Sequence, residues 1–489
     1  MNSKKILIPL LLAFPLILTG CGGSSGSSDS TDSTDSTDTA EESVADTDTD
    51  TSTDTNTEDT TTDTTTDTTT DTTTDTTADS SVWIINTTEE VSENLYESGT
   101  NQGSLVNVQS VETETVDDLE YTVVSATGIA NYQVTLSQDE IDTLNARPKA
   151  ATDFLSGSTT AEAGVAFEFG EDIGYNSNSD CETTGGAGYW PPGPVCPENL
   201  SRTGYFPNSP EPATDVVESG LGAMGYWVNG TSVYQWGDGQ SYNNERVWQT
   251  LAPVAEVYDV DVCGGHAANG DYHHHFSSDC LGKLVNDEGT GHSPVYGYAA
   301  DGYAIHGPWH SDGVLAKSSW AVRDYDDESS ATGCGAAGVR NCVLVDEFDV
   351  AAGVVAAADG PSTSDEYSSL SGNTFIASSG FFYEDFYWDS ALTNLAGEHL
   401  DQYNGHDTGD DLGYHYHVTV TQDDNGVQTP AFPYTIGPRF YGKLQDNSIA
   451  SSDAAVGGPP DGGAPNDGEL PDLPFCEADQ EPEMGVCIP

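Results

Sequence analysis

The segment that decides the fold class spans residues 414–420 and reads Tyr414-His-Tyr-His-Val-Thr-Val420. Aromatic and β-branched residues fill most of it, and glycine, asparagine and aspartate are frequent on both sides. This composition is typical of a β-strand bounded by turns. Similar patterns occur in Tyr121-Thr-Val-Val-Ser125, Tyr132-Gln-Val-Thr-Leu136, Gly164-Val-Ala-Phe-Glu-Phe169, Gly225-Tyr-Trp-Val-Asn229 and Glu256-Val-Tyr-Asp-Val260.

These segments predict one mainly β domain over residues 82–445, built as a sandwich or barrel with long loops. One or two short helices are expected. The first covers residues 137–150, where Ser137 as N-cap and Glu140 three positions later match a capping box. The second covers residues 383–403. A division into two domains near Pro212 is the alternative, and a Gly-, Pro- and Asp-rich tail occupies residues 446–489.

Residues 1–20 predict an export signal. Lys4 and Lys5 precede an apolar run that is shorter than the roughly 20 residues needed to span a bilayer. The following Leu18-Thr-Gly-Cys21 resembles the bacterial lipobox, which implies that Cys21 becomes a lipid-bearing N-terminus. The resemblance predicts a protein anchored in the cell envelope, and Gly22 favours the outer membrane or cell surface. The alternative is an ordinary signal peptide cut nearby.

Residues 21–80 predict a disordered tether. After Cys21 the stretch is largely Ser, Thr, Asp and Gly, without a basic or aromatic residue. Such a segment buries too little apolar surface to offset its ordering entropy, and its like charges repel one another. Calcium binding by its carboxylates is the alternative interpretation, although isolated aspartates lack the loop geometry of a tight site.

The overall charge limits the partners of the chain. Its 489 residues include 81 Asp+Glu and only 12 Lys+Arg, for a formal net charge of −69. Affinity for nucleic-acid phosphates comes from Lys and Arg side chains. The composition therefore excludes a nucleic-acid binder that works through a basic face.

Eight cysteines remain when Cys21 is set aside, and an even number in an exported chain predicts a disulfide framework. In the simplest pairing, sequential neighbours are joined, and a Cys263–Cys280 bridge would contribute about 3 kcal/mol. A zinc site made of cysteines is the alternative, but no Cys-x-x-Cys occurs. The eight are Cys181, Cys196, Cys263, Cys280, Cys334, Cys342, Cys476 and Cys487.

All eleven histidines lie between His266 and His417. Two segments within this window, Tyr272-His-His-His275 and Tyr414-His-Tyr-His417, both read Tyr-His-x-His. Side chains two positions apart on a strand share a face, so each segment presents two imidazoles to one side. If both strands face one pocket, four imidazoles converge there. Histidine pairs of this kind are suited to Zn or Cu.

The predicted metal ligands are His273, His275, His415 and His417, completed by His266 or His306. Neighbouring groups are expected to orient the imidazoles through hydrogen bonds or to join the ligand set, and these are Asp261, Asp271, Asp301, Tyr272 and Tyr414. The alternative is a set of core histidines that only hydrogen-bond to tyrosine and backbone groups.

Two acidic segments are candidate calcium ligands, although each is more typical of a solvated turn. They are Asp324-Tyr-Asp-Asp-Glu328 and Asp423-Asp-Asn-Gly426.

The segment Gly413-Tyr-His-Tyr-His-Val-Thr-Val420, followed by Phe432-Pro-Tyr-Thr-Ile-Gly437, resembles the signature of the YHYH domain family of bacterial exported proteins. Upstream motifs follow in matching order, and the resemblance covers roughly residues 126–442. The chain has Tyr403 and Pro438 where the family usually carries cysteines, and His274 where it carries a tyrosine. Family membership implies export and this domain, but it does not imply a particular reaction.

The leading hypothesis is a lipid-anchored envelope protein whose β domain binds Cu or Zn through its clustered histidines. A metal-dependent hydrolase or copper oxidoreductase is the second hypothesis. An open coordination position and a nearby general base such as Asp271 or Asp301 would distinguish an enzyme from a binding protein. A structural or adhesive module without metal is the third. Serine hydrolase, nucleotide-binding and zincin motifs do not occur in the sequence.

Overall fold

Short β-strands dominate the computed structural model of the protein, as the sequence predicts. The structure describes residues 81–176, 188–192, 195–245, 247–342, 344–345, 347–348, 354–355, 359–393, 397–409, 411–445, 448, 481–483 and 486–488.

The strands before the main sheet are β1 (Val91–Tyr96), β2 (Gly103–Leu105), β3 (Val108–Val116), β4 (Leu119–Ala126), β5 (Gln133–Thr135), β6 (Ala166–Glu168) and β7 (Arg202–Pro207). The central strands are β8 (Ala223–Trp227), β9 (Ser232–Tyr234), β10 (Gly237–Ser241), β11 (Gln249–Leu251), β12 (His266–Ala268), β13 (Asp271–His274), β14 (Val295–Ala299) and β15 (Ala304–His306). The next strands are β16 (Trp309–Ser311), β17 (Val314–Leu315), β18 (Trp320–Val322), β19 (Leu344–Val345), β20 (Val354–Val355), β21 (Glu366–Ser368), β22 (Thr374–Ile376) and β23 (Phe386–Trp388). The last strands are β24 (Gly405–Asp407), β25 (Tyr414–His417), β26 (Val420–Gln422), β27 (Gln428–Pro430), β28 (Glu481–Glu483) and β29 (Val486–Ile488).

Five short α-helices interrupt the strands in the part of the chain that the structure describes. They are α1 (Gln138–Asn145), α2 (Ala150–Asp153), α3 (Ala252–Ala255), α4 (Asp279–Leu284) and α5 (Ser390–Thr393), and two 3-10 turns cover Tyr242–Asn244 and Tyr383–Asp385.

An open eight-stranded sheet in the order β12-β13-β9-β8-β14-β15-β25-β24 organises the domain. Its two ends do not pair in the described part of the chain, so the barrel form of the prediction is not adopted. The pairs β13·β9 and β15·β25 are parallel, and the other pairs are antiparallel. The sheet therefore consists of two four-stranded halves that meet at the antiparallel β8·β14 pair.

The histidines of β13 and β25 lie on one face of this sheet. Residues that pair directly across neighbouring strands point to the same side of a sheet. His273 pairs with Ser232, Ser232 pairs with Tyr226, and Tyr226 pairs with Tyr298, so these four side chains share a face. Trp83 and Phe206 cover Tyr226 and Tyr298 at the middle of this face, where they form an apolar cluster with β3 and β4. The opposite face contributes Trp227, Val233, Tyr272, Ile305 and Tyr416 to the largest hydrophobic core.

The first predicted helix is confirmed and the second is wrong. Ser137 caps α1, its hydroxyl accepts the N–H of Glu140, and the Glu140 carboxylate accepts the N–H of Ser137. In residues 383–403 the described structure contains a 3-10 turn, β23 and the single turn α5. Aromatic Phe386–Trp388 pairs with Trp320–Val322 of β18, so strand pairing overrides the helical pattern.

The predicted strand at residues 256–260 is also wrong. Pro253 lies in the first turn of α3, where its fixed φ favours a helix, and the N–H of Glu256 donates to the carbonyl of Ala252 as the helix ends. This turn places Glu256 beside two predicted metal ligands, His266 and His275.

Two of the four predicted disulfides are confirmed, Cys263–Cys280 and Cys334–Cys342. Cys196 is also disulfide-bonded. Its predicted partner Cys181 and the predicted Cys476 lie outside the described residues, and only the backbone of Cys487 is described.

The predicted export signal, the lipidated Cys21 and the tether lie outside the described residues, as does most of the tail after residue 445. The described residues all belong to one compact unit, Asp71–Pro489. The domain boundaries at residues 82 and 445 stay predictions. Among the described residues, no helix combines the length and the apolar character needed to cross a membrane.

Candidate metal centres

Two β-hairpins position most of the histidines. In the hairpin β12–β13, His266 pairs directly with His273. In the hairpin β24–β25, His406 pairs directly with His415. Directly opposed residues of an antiparallel pair present their side chains to the same side of the sheet. Each hairpin therefore adds one imidazole to the two that its Tyr-His-x-His strand already supplies.

The first cluster consists of His266, His273 and His275, and all three side chains are largely buried. The Nε2 atoms of His273 and His275 lie 3.2 Å apart. Tyr234 of β9 stacks on the His273 ring with a centroid distance of 3.6 Å. The candidate ligand atoms of the three residues all lie within 4.8 Å of one another.

Glu256 adds a carboxylate to the first cluster. Its Oε2 lies 3.4 Å from Nε2 of His275 and 3.5 Å from Nε2 of His266, while the side chain is 20% exposed. This oxygen is buried and has no hydrogen-bond partner in the described structure. Burial raises the pKa of the Glu256 carboxyl well above its usual value, and the charges of Asp238 and Asp259 raise it further.

The second cluster consists of His292, His406, His415 and His417. Nε2 of His415 lies 3.1 Å from Nε2 of His292 and 3.1 Å from Nε2 of His406. Nε2 of His417 is buried and has no hydrogen-bond partner in the described structure. The candidate ligand atoms of all four residues lie within 4.8 Å of one another.

Backbone carbonyls hold the rings of the second cluster in one orientation. The Nδ1 atoms bond to the carbonyls of Ser293, Gly397, Gly413 and Gly307, at 2.9, 3.0, 2.8 and 2.6 Å for His292, His406, His415 and His417. A carbonyl oxygen only accepts hydrogen bonds, so each Nδ1 carries the ring proton and the Nε2 atom of a neutral ring carries a lone pair. Four such lone pairs repel one another unless a cation lies among them.

The first cluster is oriented in the same way. Nδ1 of His273 bonds to the carbonyl of Asp271 at 2.8 Å, and Nδ1 of His275 bonds to the carbonyl of Gln235. His266 hydrogen-bonds to the backbone of Asp259. Metal-binding histidines in proteins are held by this kind of bond on the ring nitrogen that does not face the metal.

Burial favours the neutral form of His266, His275, His406 and His417. Desolvation lowers the pKa of His266 to about 4. Desolvation and neighbouring imidazoles together lower the pKa of His406 to about 4 and that of His275 to about 3. The pKa of His417 is well below its usual value for the same reasons. Neutral imidazole is the form that binds metals, so above pH 5 these ligands are available without the loss of a proton.

The predicted ligands do not form one pocket. His273 and His275 join His266 in the first cluster, whereas His415 and His417 belong to the second. Five strand spacings separate β13 from β25, or about 24 Å along the sheet. The single four-imidazole pocket is therefore wrong. His306 lies beside the second cluster, with its ring centroid 4.6 Å from that of His415, and its Nδ1 bonds to the Ser293 carbonyl at 2.8 Å.

The predicted orienting carboxylates have other partners. Asp261 accepts the hydroxyl of Tyr272 at 2.8 Å, and Asp301 accepts the hydroxyl of Tyr416 at 2.5 Å. Asp271 forms an ion pair with the buried Arg202 at 2.6 Å, and its backbone carbonyl contacts His273. Tyr414 donates to Asp401 at 3.1 Å. Backbone carbonyls therefore orient the imidazoles, and Asp261, Asp301 and Asp401 hold tyrosines of the histidine strands.

Sequence reasoning missed three residues, His292, His406 and Glu256. His406 ends an Asp-x-x-x-Gly-His segment, Asp401-Gln-Tyr-Asn-Gly-His406, that repeats Asp261-Val-Cys-Gly-Gly-His266. That repeat was the available signal for His406. His292 and Glu256 lie in irregular connections, where no periodic pattern marks them.

The candidate calcium segments form turns. Oδ1 of Asp423 accepts the N–H groups of Asn425 and Val427, and Oδ1 of Asp324 accepts those of Asp326 and Asp327. These oxygens thus stabilise the local chain, in keeping with the solvated-turn interpretation.

Asp301 gives the domain a pH-dependent contribution to stability. Burial raises its pKa from 3.8 to about 6, although hydrogen bonds from Tyr416 and from three backbone N–H groups oppose the rise. Because the folded state holds this proton more tightly, the stabilisation is complete below pH 3.8 and is lost as the pH rises through 6. We expect the unfolding free energy of the wild type, relative to Asp301→Asn, to fall by about 3 kcal/mol over this range.

Urea unfolding of both proteins at several pH values between 4 and 7 measures this difference. A difference that stays constant with pH would contradict the assignment to Asp301.

Residues 203–425 match the protein family described as YHYH protein. The match covers a little under half of the chain and includes the eight-stranded sheet and both clusters. The resemblance identified from the motifs is thereby confirmed. No curated protein and no solved structure matches the chain.

Proposed function

Because residues 203–425 of this chain form a YHYH domain, we propose that the protein binds a transition metal, Cu or Zn, at the second cluster. The observation that carries the proposal is the convergence of four imidazoles through their Nε2 atoms, two pairs of which lie 3.1 Å apart. The imidazoles are held by carbonyls, and a metal ion would remove the repulsion between their lone pairs. Four nitrogen donors suit Zn and Cu.

The donor count favours binding over catalysis at this cluster. Catalytic zinc sites leave a coordination position for water or substrate, whereas structural sites fill all four positions with protein ligands. His292, His406, His415 and His417 supply four ligand atoms. The proposal is therefore metal retention or sensing, with metal-dependent catalysis as the alternative that an activity screen would test.

The proposed location is the cell envelope. The support is the sequence Leu18-Thr-Gly-Cys21 after an apolar run, followed by a long acidic stretch before the domain. A lipid on Cys21 would tether the domain to the membrane through residues 21–80. Metabolic labelling with a fatty acid, compared between the wild type and Cys21→Ser, tests this part of the proposal.

The metal proposal is tested on the full-length chain, extracted in detergent and purified without a polyhistidine tag. After treatment with a chelator, Zn or Cu is added and the bound metal is measured by elemental analysis. We expect His406→Ala/His417→Ala to bind about one equivalent less than the wild type. His399→Ala is the matched control, since His399 belongs to neither cluster, and it should bind as much metal as the wild type.

Equal metal content in the wild type and the double variant, with both proteins folded, would refute the proposal. Circular dichroism and the urea midpoint establish folding independently of metal content.

A further inference from the structure

The two halves of the main sheet have the same topology. Along the chain, β8, β9, β12 and β13 make the first half, and β14, β15, β24 and β25 make the second. In the first half, β13 of the hairpin β12–β13 pairs in parallel with β9, and β9 pairs antiparallel with the central strand β8. In the second half, β25 of the hairpin β24–β25 pairs in parallel with β15, and β15 pairs antiparallel with the central strand β14. The strand order is therefore repeated symmetrically on the two sides of the β8·β14 pair.

The sequences of the two central strands support this correspondence. Met224-Gly-Tyr-Trp-Val-Asn-Gly230 in the first half corresponds to Tyr296-Gly-Tyr-Ala-Ala-Asp-Gly302 in the second. Gly230 and Gly302 both have positive φ, at 81° and 93°, and their N–H groups donate to residues three positions earlier. The shared Gly-Tyr and Asn/Asp-Gly positions make the same turn in each half.

The two hairpins correspond in their hydrogen bonds as well. Asp261 and Asp401 each accept the N–H groups of the residues two and four positions later. Each also accepts the hydroxyl of the tyrosine that begins the Tyr-His-x-His strand, Tyr272 or Tyr414. The two hairpins are thus one structural unit used twice.

The correspondence extends to the histidines. His266, His273 and His275 of the first cluster occupy the positions of His406, His415 and His417 in the second. The carbonyl acceptors also correspond, because His275 bonds to Gln235 immediately after β9 and His417 bonds to Gly307 immediately after β15. Each half of the sheet therefore contains one equivalent group of three imidazoles.

The fourth donor differs between the halves. In the second half it is His292, four residues before Tyr296. The corresponding position four residues before Met224 is Gly220, which has no side chain. In the first half, the turn after α3 instead places the Glu256 carboxylate at the cluster, 3.4 Å from His275 and 3.5 Å from His266.

We propose that the first cluster is a second, separate metal centre, in which His266, His273, His275 and Glu256 bind a divalent first-row cation through three nitrogens and one carboxylate oxygen. Zn accepts this mixed donor set. The buried Oε2 of Glu256, which has no hydrogen-bond partner in the described structure, supplies the oxygen ligand. The chain then binds two metal ions at chemically different sites, which goes beyond the single centre proposed above.

The apolar cluster between the two sites keeps them apart. Trp83, Phe206, Tyr226 and Tyr298 fill the middle of the histidine face. No metal ligand is shared, so each site should fill and empty without the other.

Zinc binding to the full-length chain tests this inference directly. In the His406→Ala/His417→Ala background, which disables the second cluster, about one zinc per chain should remain, and His273→Ala should then remove it. Glu256→Gln keeps the size of the side chain but replaces the carboxylate by an amide. We expect this variant to weaken zinc binding at the first cluster by about 10- to 100-fold or more. The loss of a residue that only hydrogen-bonds to a metal ligand already weakens metal affinity by about this factor. Glu245→Gln is the matched control, because Glu245 is exposed and lies outside the cluster.

The outcomes separate this inference from the proposed function. A folded His406→Ala/His417→Ala variant that binds no zinc would overturn the second centre, and unchanged binding in Glu256→Gln would overturn the carboxylate ligand. If the double variant does not fold, zinc binding is measured for Glu256→Gln in the otherwise wild-type chain. Zinc should then bind in two steps, and only the step at the first cluster should be weaker than in the wild type. Zinc that persists at the first cluster while none binds at the second would refute the proposed function and support the inference.

Discussion

Replacing His417 by alanine is expected to weaken zinc binding at the second cluster by at least about 100-fold. His417 is fully buried, its Nδ1 donates to the Gly307 carbonyl at 2.6 Å, and its Nε2 has no hydrogen-bond partner in the described structure. The substitution removes one of four nitrogen donors. The loss of affinity should exceed the roughly 10- to 100-fold loss that follows when a residue that only hydrogen-bonds to a metal ligand is removed. Competition against a chromophoric chelator measures the affinity.

A second buried histidine provides the control. His274 is as buried as His417, and both its ring nitrogens lack hydrogen-bond partners in the described structure. It lies between His273 and His275, so it points to the opposite face of β13. His274→Ala should therefore leave zinc affinity at the second cluster unchanged. An equal loss in both variants would show that general destabilisation, and not loss of a ligand, explains the effect.

Replacing Asp385 by alanine is expected to reduce the unfolding free energy by about 3–5 kcal/mol. Asp385 and Arg340 form a bidentate ion pair, with Nε–Oδ1 at 2.7 Å and Nη2–Oδ2 at 2.9 Å, and both side chains are fully buried. Oδ2 also accepts the N–H groups of three successive residues, 380–382. The variant leaves a buried guanidinium without its counter-ion and three N–H groups without their acceptor.

The matched control is an exposed ion pair. Lys317 and Glu398 lie 3.3 Å apart, and the lysine side chain is 51% exposed. Glu398→Ala should reduce the unfolding free energy by less than about 1 kcal/mol, because solvent screens such pairs. Urea unfolding of the three proteins at pH 7 compares the two effects. A loss below about 1 kcal/mol for Asp385→Ala would contradict the structural importance of the buried pair.

Local sequence determined the parts of the structure that depend on neighbouring residues. The capping box of Ser137 and Glu140 formed as the sequence predicts, because it needs only residues three positions apart. The shared face of His415 and His417 follows from the two-residue period of a strand. The sequential disulfide pairs Cys263–Cys280 and Cys334–Cys342 also join residues close in the chain.

Tertiary structure decided which histidines meet. The two Tyr-His-x-His strands look equivalent in sequence, and nothing in either segment states how many strands separate them in the sheet. Strand order places β13 and β25 in different halves, so each pair finds partners of its own. His292 reaches His415 across 123 residues of chain, and this approach depends on the path of the loop before β14.

The sequence by itself therefore determined a mainly β, disulfide-linked domain with two strands that each bear a pair of imidazoles on one side, since these features depend on period, composition and short separations. Only the tertiary structure decided that there are two clusters, that Glu256 joins one and His292 the other, and that burial lowers the pKa of the imidazoles. The physical reason is that ligand convergence and desolvation depend on contacts between residues distant in the chain, and strand order fixes these contacts.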